Sequence, residues 1–166
     1  MPSPLIIQEC ISWLSENLGT YLGDSTVTLK FQIVHEDFWQ LNTPVIARRV
    51  GSSYWRFSSD AIAWEDNSES QLVLLNYSSS AISLKDVGEL YCVASVVKPT
   101  ISFLLSEKGI SNEVRLQLVE DEIRNRLLWT RDGSPIVLSE WSGNQNKIII
   151  DSLLPIESRN ILFANL

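Results

Sequence analysis

Glu140 closes the stretch PIVLSE, Pro135 to Glu140, and a carboxyl group at that point can do chemistry. Alternation along a strand puts Ile136, Leu138 and Glu140 on one face and Val137 and Ser139 on the other. Both faces carry apolar residues, so the strand is expected to be buried on both sides. Burial penalises the charged form of a carboxyl and raises its pKa unless a cation answers it. Such a group can serve as a general acid or hold a polar ligand. The plain alternative is a strand-end glutamate in water, or one paired with Arg126 or Arg131.

The other reactive residue types offer less. His35 is the single histidine and stands in VHED beside Glu36 and Asp37. Neighbouring strand residues point to opposite faces, so these three do not form a metal site by themselves. No nucleophile elbow or glycine-rich phosphate loop occurs, and the 7 glycines are scattered singly. The run EDNSES lacks the glycine bend of a calcium loop, and VEDE (Val119 to Glu122) reads as solvated surface. Trp13, Trp39, Trp55, Trp64, Trp129 and Trp141 could stack a planar ligand, but such residues more often fill cores or interfaces. Neither a metal nor a cofactor is expected.

Composition narrows the function classes. The 166 residues suit a single domain spanning 1–166, with one sizeable core. Hydrophobic residues make up 45% and charged residues 20%, an ordinary globular balance. The net charge of -7, and no run of Lys or Arg beyond two, speak against nucleic acid and anionic membranes as partners. Cys10 and Cys92 belong to no CxxC, and reduced, buried thiols are expected. The N-terminal stretch lacks a basic region and a small-residue cleavage site, and no apolar run approaches the ~20 residues of a membrane span. A cytoplasmic location is the expectation.

The elements that must position these residues read as follows. Pro4 to Leu18 has helical spacing, with Ser3 as cap, Pro4 at the first helical position and Gly19 as stop. TVTLKFQIV (Thr26 to Val34) alternates as a half-buried strand. EDFWQLN is a turn or short helix, and PVIARRV and SSYWRFSSDAIAWED give extended pieces. SQLVLLNYSS is a further strand. SLKDVGELYCVAS starts a helix, with Ser83 as cap and Asp86 three positions on. KPTISFLLSEKG reads as a helix opening at Pro99 and closing at Gly109. In NEVRLQLVEDEIRNRLLWTR the alternation favours strand and the Glu and Arg content favours helix. The reading adopted is strand, short link, then strand from Arg126. DGS is a hairpin turn, PIVLSEW returns, and NKIIIDSLL is a last strand. The fold class expected is α+β: an antiparallel β-sheet with helices packed mainly on one face.

The stretch RNRLLWTRDGSPIVLSE resembles the last hairpin of the chorismate lyase-like superfamily, which includes chorismate pyruvate-lyase and the ligand-sensing UTRA domains of bacterial regulators. The match lies in an Arg-containing strand, then Gly133 and Pro135, then an apolar run ending in Glu140. KPTISFLLSEKG is similar to the helix that precedes that hairpin, and DSTVTLKFQIV to the early strand. Motif-level similarity covers about Lys98 to Trp141. The resemblance implies an enclosed cavity in which Glu140 takes the family glutamate's role in eliminating pyruvate from chorismate. A buried arginine would bind the substrate's carboxylates. The family's arginine position falls on Asn76 in LVLLNYSSS, which can hydrogen-bond a carboxylate but not neutralise it. Arg115, Arg126, Arg56 or Lys98 would have to substitute, and the chain runs on past the family's usual end.

Three functions therefore compete. The first is a chorismate lyase-like enzyme acting on chorismate or a related small aromatic acid, with Glu140 catalytic and Asn76, Arg126 and Arg115 binding the ligand. The second is a non-catalytic small-ligand-binding or sensor domain on the same fold. The third is an acidic protein–protein interaction module.

Overall fold

The computed structural model describes residues 3–18, 21–22, 29–33, 59–65 and 71–162. His35, Trp39, Trp55, Arg56, the stop at Gly19 and most of EDNSES lie outside the described residues. Among the described residues, five α-helices and six strands occur in the order α1 (Pro4–Asn17), β1 (Leu29–Ile33), β2 (Ala61–Glu65), β3 (Leu72–Tyr77), α2 (Leu84–Val97), β4 (Ile101–Ser106), α3 (Asn112–Gln117), α4 (Asp121–Leu128), β5 (Ile136–Ser142), β6 (Lys147–Ile148) and α5 (Ser158–Leu162). A 3-10 turn, Ile150–Ser152, follows β6.

The α+β class holds, but the sheet is mixed rather than antiparallel. Its strands lie in sequence order, β1 to β6. The outer pairs β1–β2, β2–β3 and β5–β6 are antiparallel. The central pairs β3–β4 and β4–β5 are parallel, in registers such as Leu75 with Phe103 and Leu104 with Leu138. A parallel step needs a crossover long enough to return the chain to the starting edge. Helix α2 supplies it between β3 and β4, and α3 with α4 supplies it between β4 and β5.

Those crossovers correct two element assignments. ISFLLS within KPTISFLLSEKG is strand β4, not helix, and all six of its residues are buried. A continuous apolar run of this length is what a strand covered on both faces requires. NEVRLQLVEDEIRNRLL is two helices, not two strands. The Ser111 side chain caps α3 by accepting from Val114 N. Ion pairs Asp121–Arg124 and Glu122–Arg126 run along α4 at i,i+3 and i,i+4.

Helices cover both faces of the sheet rather than mainly one. On one face α1 presents Ile7, Cys10, Ile11 and Leu14, at the i, i+3, i+4, i+7 spacing of a helical stripe. They pack with Val73, Leu75, Phe103, Leu105, Val137 and Trp141. On the other face Val87, Leu90, Ala94 and Val97 of α2, with Val114, Leu118 and Leu128, pack on Leu72, Leu74, Leu104, Ile136 and Leu138. Each such aliphatic side chain contributes about 1.5–3 kcal/mol on burial, so both layers are needed to hold the central strands. Ser3 and Pro4 start α1 as expected. Ser83 and Asp86 form a complete capping box at α2.

The expected hairpin before Glu140 is not formed. Arg126 stands on α4, and DGS closes a tight turn in which Thr130 N bonds Ser134 O at 3.0 Å and Gly133 has φ +83°. A single antiparallel bridge, Trp129 to Pro135, precedes β5. NKIIIDSLL gives the two-residue β6, the 3-10 turn and one antiparallel bridge from Leu154 to Leu138, not a full strand.

Candidate functional site

The carboxyl end of β3 carries a polar cleft of about 330 Å³, with Leu104 of β4 among its lining residues. Its walls are Asp60, from the segment entering β2, Asn76 and Tyr77 of β3, the turn Ser78 to Ser80, and Asp86 and Glu89 of α2. Ligand sites in sheets with parallel strands favour this end, because there the chain leaves the sheet and turns into the crossover helix.

The antiparallel β2–β3 pair builds one wall. Asp60 N donates to Leu75 O at 3.0 Å, and the Asp60 Oδ2 atom accepts from Tyr77 N at 2.6 Å. Ser59, 5% exposed, sets its hydroxyl among Ala61 O at 2.9 Å, Leu75 O at 3.1 Å and Asn76 Oδ1 at 3.1 Å. The hydroxyl has a single proton for these three acceptors, so Asn76 Oδ1 shares it with the two carbonyls. Burial raises the Asp60 carboxyl above the usual carboxylate range, and the Tyr77 N–H opposes that rise.

The opposite wall follows from helix capping. Ser78 N donates to Leu105 O at 2.8 Å and Ser106 Oγ donates to Ser80 O at 2.6 Å, which tie the turn to β4. Ser83 N and Oγ both donate to Asp86 Oδ2, at 2.8 and 2.7 Å. That carboxylate is thus committed to starting α2. Glu89 pairs with Lys85 at 3.6 Å, but both side chains are mostly exposed, so the pair is worth little.

Of the residues singled out from sequence, Asn76 alone lines this cleft. Glu140 is half-buried in β5, two residues before the strand ends at Ser142, and opposite Ser106 in register. Its carboxylate lies against Gly109, where a Cβ would stand 3.1 Å from Oε2. Gly109 O in turn accepts from Ile82 N at 2.9 Å, so the turn after β4 stands between Glu140 and the cleft. Two interstrand steps, roughly 10 Å, separate β3 from β5. Arg115 is exposed and its Nε donates to Ile110 O at 3.3 Å. Arg126 is exposed and paired with Glu122 at 2.5 Å. Among the described residues no cation forms an ion pair with Glu140, and the four predicted residues do not converge.

On the α1 face the same end of the sheet is less polar in access. Tyr77 turns its ring into that core, and burial, with Glu107 nearby, pushes its phenol up to about 12. Cys10, fully buried on the inner face of α1, has its thiol raised by burial. Cys92 is exposed and also free, so the expectation of two buried thiols holds for Cys10 only.

Asp60 and Ser59 were missed by sequence reasoning. FSSD preceding an apolar run is an ordinary strand boundary, and only the pairing of β2 with β3 brings Asp60 to Tyr77 and Ser59 to Asn76. Among the described residues no group of three His, Cys, Asp or Glu side chains is placed to hold a metal ion. Nor is any described helix long and apolar enough to cross a membrane. Comparison with family models, with curated proteins and with solved structures finds no match.

Proposed function

We propose that this chain is a non-catalytic small-ligand-binding domain whose site is the cleft at the carboxyl end of β3. The observation that carries the reading is the joining of Asn76, hydrogen-bonded to a buried serine, to a half-buried Asp60 in one concavity of about 330 Å³. That volume sits at the lower end of the ~300–1,000 Å³ usual for small-molecule sites. The lining supplies hydrogen-bonding groups at fixed positions, and among its described residues no nucleophile–base pair occurs.

Elimination of pyruvate from chorismate asks for more. It needs a cation to hold two carboxylates and a cavity that excludes water. The cleft is acidic and open, and Glu140 lies beyond the turn after β4 with no cation paired to it among the described residues. Binding without turnover is the reading that this arrangement favours.

The test is a thermal-shift screen of the purified chain against a library of small polar metabolites, repeated with Asn76→Ala and with Ser79→Phe, an exposed substitution that narrows the cleft. A ligand at 100 Kd stabilises by about 2.7 kcal/mol, and that shift is expected to vanish in both variants. Formation of 4-hydroxybenzoate from chorismate, lost in Glu140→Gln, would overturn the proposal in favour of the lyase.

A further inference from the structure

We draw no further inference here: the strongest candidate, the buried side chains of Tyr77 and Trp141 in the core layer that α1 shares with β3 and β5, whose phenol oxygen and indole N–H have no hydrogen-bond partner among the described residues, carries nothing because nothing in the structure shows what would pair with them.

Discussion

The Glu140 carboxylate rests on the Cα side of Gly109, a residue with φ +67° whose added Cβ would meet Oε2 at 3.1 Å. The turn after β4 can pass this close to β5 because residue 109 has no side chain. Left-handed backbone costs a non-glycine residue about 1–2 kcal/mol. Gly109→Ala is therefore expected to lower stability by about that amount in urea unfolding. Adding Glu140→Ala is expected to recover little, because the strain lies in the backbone and the carboxylate end can move aside. A coupling energy above ~0.5 kcal/mol between the two substitutions would instead mark Glu140 as rigidly held.

Ser152 fixes the outer edge of β5. Its hydroxyl accepts from Glu140 N at 2.8 Å, donates to Ile149 O at 2.7 Å and lies 2.8 Å from Ser139 Oγ. Ser152→Ala leaves a part-buried N–H without an acceptor, at about 1 kcal/mol. Denaturant titration should show the loss, and hydrogen exchange at Glu140 N should speed up with it. An unchanged exchange rate there would contradict this role for Ser152.

The start of α2 depends on Ser83 and Asp86. Ser83→Ala removes the acceptor for Asp86 N, 3.3 Å away, and a donor to the Asp86 carboxylate. About 1 kcal/mol of stability is expected to go with it. Ser83→Asn, which can also cap, should retain most of that stability. Thermal unfolding of the pair checks both.

Asp60 should make stability depend on pH in an identifiable direction. Burial sets its folded pKa above the unfolded value, so folding binds its proton more tightly. This group's contribution therefore favours the fold at low pH and is lost as pH rises through the raised value. Asp60→Asn keeps an oxygen for Tyr77 N and removes the titration. Near neutral pH the variant is expected to equal or exceed the parent in stability, and the gap should close on acidification toward about pH 4. Urea midpoints across that range test the sign, and a variant that gains on the parent as pH falls would contradict it.

The two thiols should differ in reactivity. Burial of Cys10 raises its pKa and bars reagents, while Cys92 is exposed. The native protein is expected to titrate one thiol rapidly with a disulfide reagent, and the second only after unfolding. Rapid reaction of both in the native state would place Cys10 at the surface.

The sequence by itself determined what depends on near neighbours. Ser3–Pro4 and Ser83–Asp86 announced two helices because capping is a contact between residues a few positions apart. The alternating faces of β5 were legible for the same reason: Ile136 and Leu138 pack on one side, Val137 and Trp141 on the other. Pairing direction was decided only by the tertiary structure, since a run such as ISFLL is apolar on both faces whether its neighbours run parallel or not. The helices of NEVRLQLVEDEIRNRLL were then required as crossovers, although their Glu and Arg content had already favoured helix. The candidate site was legible at Asn76 alone. Asp60 stands 17 residues from the Tyr77 N–H that holds it, as Ser59 does from Asn76. Contacts at that range exist only once β2 pairs with β3, which is why residue type and spacing pointed to Glu140 while the folded sheet gathered its polar cleft at another strand.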